Sequence, residues 1–321
     1  MMPTALWRRL LVLILSTLTL SACALRAPSP PVDGLVLSTA RGAQLQGTLV
    51  ELSTQRTLSF AAFVKAVAQT QVVAVGEEHY HPDIQAFELR LLQALVHHRP
   101  QRLALAMEFL ERDTQPAVDA YLSGRSDAAT LHAQIKATPA FIQYYFPCMQ
   151  YAQQAGVPIL AMNAPRSLAR RVTKEGLQAV VESLLLPERA HLATTFAPIT
   201  PQYRTYFLKA VAAAHPLLEE QLERFVEAAH LKDETMAESL ATFLERAADV
   251  TVLAIAGRFH FDYGLAIPAL LGQRRAHVSI QRVTTMAVAA DDSIDLRELA
   301  RETLADYVWF VRPHPETRAE N

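Results

Sequence analysis

Apolar positions follow two rhythms along this chain. Four short unbroken runs, Val72-Val73-Ala74-Val75, Leu103–Met107, Val157–Met162 and Val250–Ala256, have the character of strands covered on both faces, as parallel strands are. Between them the apolar residues recur at three- and four-residue spacing. Ser59 can cap a helix with Phe60, Phe63, Val64 and Val67 on one face. Pro82 and Asp83 open another that carries Ile84, Phe87, Leu91 and Leu95. Further strands are predicted within Ala276–Val288, at Tyr307–Val311 and, at the periphery, at Leu45–Leu52.

The interval from Lys174 to Asp249 contains no strand pattern. It predicts helices at about 177–185, 202–214 and 217–229, and a last one opened by Asp233 with Met236, Leu240, Phe243 and Leu244 on one face. The stretch from Asp113 to Gln154 also reads as helical. The fold class that follows is α/β: a mostly parallel central sheet flanked by helices, with an inserted all-helical subdomain. Residues 46–173 and 250–321 make the α/β domain, and 174–249 make the insert.

The N-terminus behaves differently. Arg8 and Arg9 precede an apolar segment, Leu10–Leu20, too short to span a bilayer, and Leu20-Ser21-Ala22-Cys23 then has the form of a bacterial lipobox. Residues 1–22 are therefore expected to be a lipoprotein signal peptide and Cys23 the acylated residue. Residues 23–45, with Pro28, Pro30 and Pro31, are expected to form a tether. Ala24, where a retention signal would carry Asp, favours passage to the outer membrane.

Composition narrows the function classes. Over 321 residues the chain is 51% hydrophobic and 19% charged, enough for a large core, and its formal net charge of −2 offers no basic excess for nucleic acid. Two cysteines make neither a disulfide framework nor a zinc-finger pair, and Cys148, within Tyr144-Tyr145-Phe146-Pro147-Cys148-Met149, has the setting of a buried small hydrophobe.

Candidate chemistry lies where the apolar runs stop. They end in Glu77-Glu78-His79, in Glu108, in Asn163 with Arg166, and in His260. Two ends share a spacing, Gly76-x-x-His79 and Gly257-x-x-His260. In open α/β sheets the ligand crevice lies beyond the carboxyl ends of the strands, so neighbouring strands would gather these groups in one cleft. One of Glu77 and Glu78 is expected to bind backbone amides at the following helix start. Imidazoles and carboxylates suit divalent-metal ligation or acid/base work, whereas no HExxH helix, GxSxG elbow or P-loop occurs.

In their order these motifs resemble the ChaN-like haem-binding lipoproteins. The resemblance runs from about residue 55 to 311. It rests on Gly76-Glu77-Glu78-His79 with Gln85 and Glu88, on Glu108, on Met162-Asn163-Ala164-Pro165-Arg166 and on Lys232-Asp233-Glu234-Thr235-Met236-Ala237. The GxxH segment at His260 and Ala305-Asp306-Tyr307-Val308-Trp309-Phe310 complete it. The family's Gly-Val-Pro after the second histidine stands here as Gly264-Leu265-Ala266-Ile267-Pro268. Its superfamily includes the erythromycin esterases, the TraB-like proteins and the Tiki proteases.

The resemblance implies haem binding for haem or iron acquisition at the bacterial outer membrane, by a lipid-anchored protein facing the periplasm or the surface. It also implies two stacked haems at a homodimer interface, a tyrosine on the haem iron and an outer-membrane receptor as a partner. Tyr203 and Tyr206 are the candidate iron ligands, with His215 and His230 as alternates. Glu77, Glu78, His79, Glu108, Asn163, Arg166 and His260 are the expected cofactor-binding set. The alternative is a metal-dependent hydrolase, peptidase- or esterase-like, that uses Glu78, His79, Glu108 and His260 around a divalent ion.

Overall fold

The structure, a computed structural model, describes residues 33–214 and 219–314. The leader, Cys23, the beginning of the expected tether and His215 lie outside the described residues. The described chain starts with β1 (Thr39–Arg41), α1 (Gly42–Leu45), β2 (Leu49–Glu51), β3 (Arg56–Leu58) and α2 (Phe60–Val67). Residues 39–45, at the end of the span expected as tether, are thus structured, and β1 pairs antiparallel with a strand near the C-terminus.

Next come β4 (Val72–Glu77), α3 (Pro82–His98) and β5 (Leu103–Glu111). Four helices follow, α4 (Gln115–Leu122), α5 (Ala128–Gln134), α6 (Pro139–Tyr144) and α7 (Phe146–Ala155), and lead into β6 (Ile159–Asn163). Among its described residues the expected insert contains helices and no strand: α8 (Arg166–Glu175) enters it, followed by α9 (Leu177–Ser183), α10 (Leu186–Arg189), α11 (Pro201–Ala214) and α12 (Glu219–Arg246). The chain ends with β7 (Thr251–Gly257), α13 (Ile267–Arg274), β8 (Ile280–Ala287), β9 (Ser293–Asp295), α14 (Leu296–Arg301) and β10 (Tyr307–Val311).

The main sheet has the order β3-β2-β10-β8-β4-β7-β5-β6. Its six strands from β10 to β6 run parallel. At one edge β2 pairs antiparallel with β10, and β3 pairs antiparallel with β2. From β4 the chain travels to β5 beyond β7, and from β7 it travels to β8 beyond β4. The β4–β7 pair is therefore where the connections part in opposite directions, the place at which such sheets bind ligands.

Side-chain size alternates along the central strands, and this sets the two layers. Val73, Val75, Leu105, Met107, Leu253 and Ile255 face the layer of α2–α7, with Phe63, Phe87, Leu91 and Tyr145. Ala74, Ala104, Ala106, Ala254 and Ala256 face α12 and α13, meeting Met236, Leu240 and Leu271. Alanine on that side lets α12 approach the sheet closely, so this helix of the insert also covers the sheet. Successive strand residues point to opposite faces, so both layers are written into one run.

Local signals account for the helix starts. Ser59 accepts from the Ala62 amide and caps α2. Pro82 occupies the first turn of α3, behind His81, whose Nε2 lies 2.7 Å from the Arg312 carbonyl oxygen. Asp233 departs from expectation. It lies inside a single 28-residue α12 and opens nothing. Cys148 is a free, buried thiol whose deprotonation is disfavoured by burial and by Glu88 and Glu77. Among the described residues no helix is long and apolar enough to cross a membrane.

Candidate functional site

β4 and β7 carry the two GxxH segments side by side, with Glu77 opposite Gly257 in the register. Both glycines have ordinary backbone angles. Their role is close approach. A Cβ on Gly76 would stand 2.8 Å from the Arg258 Cα, and one on Gly257 would stand 3.0 Å from Cε1 of His79. Glycine here leaves room for one strand end against the other.

Glu77 ends β4 fully buried. Its carboxylate accepts from the Tyr145 hydroxyl at 2.9 Å, from Nε2 of Gln85 and from Nδ1 of His79. Burial opposes a proton on His79, but the bonded Glu77 outweighs it, so the imidazole holds its proton more firmly than an ordinary histidine. The ring is half-exposed, 46% by side chain, and Nε2 has no hydrogen-bond partner among the described residues. Glu88, one helical turn after Gln85, is buried; that burial and the nearby Glu77 charge keep its carboxyl protonated well above the usual range.

Glu108 sits where the β5–β6 register shifts, between Met107 and Glu111, an irregularity that re-aims side chains at a sheet end. One oxygen accepts the Gly257 amide at 2.8 Å. The other lies 3.1 Å from Nε2 of His260 and 3.4 Å from the Lys232 ammonium. On its other side, His260 Nδ1 is 2.5 Å from Asp233, and the Tyr203 hydroxyl donates to that carboxylate at 2.6 Å. Tyr203, Asp233, His260 and Glu108 thus form one buried chain. Desolvation disfavours the His260 cation, yet Glu108 and Asp233 together raise its pKa to about 10, and the ring is an imidazolium at neutral pH. Glu108 responds in the opposite sense. Burial pushes it up, but His260 and Lys232 hold it well below the usual carboxylate range.

A cleft of about 200 Å³ opens at these strand ends. His79, Glu108, Asn163 and Arg166 line it together with Tyr80, Phe109, Phe141, Tyr145, Lys136 and Lys232. Phe109 and Tyr145 stack at 3.7 Å between centroids. Asn163 braces the floor. It donates to the Glu108 carbonyl at 3.0 Å and accepts from the Ala164 amide at 2.8 Å. Arg166 donates to Glu111 at 2.8 Å. A second cavity of about 270 Å³ adjoins the first across Phe109, Ile135, Lys136 and Arg166, and adds Arg170.

The sequence-based set is thus brought together in part. Glu77 and His260 stand one layer behind the cleft, holding His79 and Glu108. Glu78 turns away. Its carboxylate accepts from the Ala287 amide at 3.0 Å and pairs with Arg258 at 3.5 Å. Neither Glu77 nor Glu78 binds the amides that open α3, because Pro82 and the carbonyl of His81 organise that start. Neither Tyr203 nor Tyr206 lines the cleft. The Tyr203 hydroxyl is committed to Asp233 in a buried site that keeps it protonated, and Tyr206 stacks on Phe259 with its own ionisation disfavoured by burial. His230, the described alternate, is also buried away from the cleft, with Nε2 donating to the Ala197 carbonyl at 2.7 Å. Among the described residues no group of three or more His, Cys, Asp and Glu is arranged to hold a metal ion.

Sequence reasoning missed Asp233, Lys232 and Tyr145 as site residues. Lys232-Asp233-Glu234 entered only as part of the family resemblance and Tyr144-Tyr145-Phe146 only as the setting of Cys148, and neither segment names a partner. Gly257→Ala tests the packing of the two strand ends. The added Cβ should push the His79 ring off Glu77, at a cost of about 1 kcal/mol because a half-exposed ring can yield. An NMR titration should then show the His79 midpoint falling toward the ordinary histidine value. An unchanged midpoint would mean that the ring had not moved.

Residues 63–271 match the family model described as haem-binding uptake, Tiki superfamily, ChaN. The fold resembles a solved structure described as cofacial haem binding to ChaN of Campylobacter jejuni, with a TM-score of 0.65 and 19% identity over 81% of this chain and 95% of that one. An erythromycin esterase in its open conformation aligns at a TM-score of 0.45 and 14% identity, over 76% of this chain and 77% of that one. A curated relative, the chloroplastic RETICULATA-RELATED 5 of Arabidopsis thaliana, is 22% identical over 266 residues. That match covers 77% of this chain, which spans only about a third (35%) of the plant protein's length.

Proposed function

Because this chain belongs to the ChaN haem-binding uptake family of the Tiki superfamily, we propose that it binds haem at the cleft beyond β4, β5 and β6. One observation carries the reading: a half-exposed imidazole, held by a buried carboxylate, opens onto a cleft with aromatic walls and a basic rim. A histidine that serves a metal characteristically gives its other ring N–H to a carboxylate, which fixes the tautomer and leaves a lone pair outward. His79 has the geometry for it, with Nδ1 against Glu77 and Nε2 unpartnered at the cleft, where iron would take the place of the ring's second proton.

The residues present fit the group. His79 would hold the iron. Phe109, Phe141 and Tyr80 would face the macrocycle, and Lys136, Arg166 and Arg170 would meet the propionates. Bound haem supplies a redox-active iron; the protein residues bind it, orient it and fix its charge. The cleft's 200 Å³ falls below the range of about 300–1,000 Å³ typical of sites that enclose a ligand. A cleft of this size would enclose haem only in part, which suits a second copy of the chain as a further cover. The lipobox at Cys23 supports an anchored protein of the bacterial outer membrane that serves haem or iron acquisition, with a receptor as its exchange partner.

Titration of the purified chain with haemin tests this. The expected result is a saturable shift of the Soret band near one equivalent per chain. Tyr203→Phe should leave that shift in place while removing about 1.5–3 kcal/mol of stability with the hydrogen bond to Asp233. Haemin bound no better than by an unrelated α/β protein would refute the reading. Loss of the shift in a folded Tyr203→Phe protein would return the iron ligand to that tyrosine.

A further inference from the structure

Two adjacent leucines of the insert are left in water. Leu185 and Leu186, at the bend between α9 and α10, are 71% and 86% exposed. Leu184, just before them, packs with Leu168, Val172 and Leu192, but neither of the two joins an apolar cluster of the described residues. Pro187 follows in the first turn of α10 and fixes the backbone that presents them. Exposure on this scale forgoes a burial worth roughly ten- to hundredfold in partitioning for each side chain.

The surroundings limit what can cover them. α8 reaches the bend through Arg171, whose guanidinium donates to Ser183 Oγ at 2.8 Å. On the same helix Arg170 and Lys174 are exposed and have no ion-pair partner among the described residues. The acids nearby are engaged. Glu175 pairs with Arg171, Glu182 accepts from Gln178, and Glu188 lies in the field of Arg171. An apolar tip beside unmatched cations suits entry into an anionic bilayer. It suits a protein partner poorly, because two side chains fall far short of the roughly 800 Å² per partner that a stable interface buries.

We propose that Leu185 and Leu186 dip into the bilayer that holds the lipid anchor and so fix how the protein stands on it. The inference rests on the anchor at Cys23 proposed above. Asp33, the first described residue, follows Cys23 by ten positions, and a chain of that length spans at most about 35 Å. So short a tether makes the second contact intramolecular, and even a weak one is then occupied. The tip alone is weak. Its two leucines match at best a single acyl chain, which by itself gives only marginal, reversible binding. It orients an anchored protein and does not recruit a free one. The cleft shares in the result. α8 starts at Arg166 on the cleft rim and comes to Arg171 five residues later, about 7.5 Å along the axis, so the basic rim would be held near the headgroups.

The acylated full-length protein in vesicles of phosphatidylethanolamine and phosphatidylglycerol provides the test. Leu186→Cys carries a nitrobenzoxadiazole label, and Cys148 is buried and does not compete for it. Spin-labelled acyl chains should quench this label several-fold more strongly than the same label at Lys65→Cys, an exposed position on α2 in the other layer. Leu185→Asp in the labelled chain should abolish the difference, because a carboxylate resists transfer out of water. Equal quenching at the two positions, or quenching that survives Leu185→Asp, would overturn the proposal. A label already shielded in vesicle-free protein would overturn it as well, by giving the leucines to a second copy of the chain. A protein that fails to float with the vesicles lacks the anchor, and the proposal falls with it. One that floats while the label at position 186 stays in water keeps the anchor and loses the tip contact. Haemin binding is read separately by its Soret band, so failure here leaves the haem cleft untouched, and the converse also holds.

Discussion

His260→Ala is expected to destabilise the folded chain by about 3–5 kcal/mol, the cost of removing one partner from a buried ion pair. The imidazolium lies between Glu108 and Asp233, and its loss leaves two buried carboxylates facing a void. The same geometry fixes a pH dependence. His260 rises from 6.5 to about 10 on folding, so its contribution is complete below pH 6.5 and is lost as pH climbs to about 10. Glu108 is shifted the other way. Its contribution is present above its ordinary 4.5 and disappears as pH falls below that value. Stability should therefore be greatest between about pH 4.5 and 6.5 as far as this pair is concerned. Denaturant unfolding at a series of pH values would show the alkaline decline in the native chain and its absence in the variant. A flat profile for the native protein between pH 6.5 and 10 would refute the buried imidazolium.

His79→Ala should weaken haemin binding by at least about 10–100-fold, the loss seen when even the supporting partner of a metal-bound histidine is removed. The loss should be specific. His79 is at the rim and half-exposed, so its removal takes little from the core, and the thermal midpoint should move far less than in His260→Ala. Glu77→Gln forms the companion measurement. It keeps the shape but gives His79 a weaker acceptor, and haemin affinity should fall by about tenfold. Comparable haemin affinity in the native chain and in folded His79→Ala would move the iron ligand away from this strand end.

The two variants separate the roles of histidines that look alike in the chain. Both follow a glycine by three residues at the end of an apolar run. One ends at the surface with a single carboxylate and an open nitrogen. The other is enclosed between two carboxylates and has no nitrogen to offer. Spacing within a segment cannot express that difference, because the partner carboxylates come from elsewhere: Glu108 from β5 and Asp233 from α12. Asp233 reads locally as a helix-opening acid. Inside the fold it is a buried anion whose charge is met by His260, so no helix start is needed to stabilise it. Glu78 illustrates the converse. Adjacent residues at a strand end point to opposite faces, so only one member of the Glu77–Glu78 pair can reach His79 and Tyr145.

The amino-acid order alone determined the parallel α/β architecture, the helical insert and the four strand ends at which polar groups collect. Those features follow from periodicity and from where apolar runs stop, and both are properties of neighbouring residues. Tertiary structure decided which of those groups reach the cleft, which histidine is charged and which tyrosines are withdrawn from it. These depend on strand order, on a register shift in β5 and on one turn of α12, and the contacts of Glu108 with Gly257 and Lys232 join residues more than 100 positions apart. Burial and opposing charge, which set the protonation of His260 and Glu108, exist only after the chain has folded.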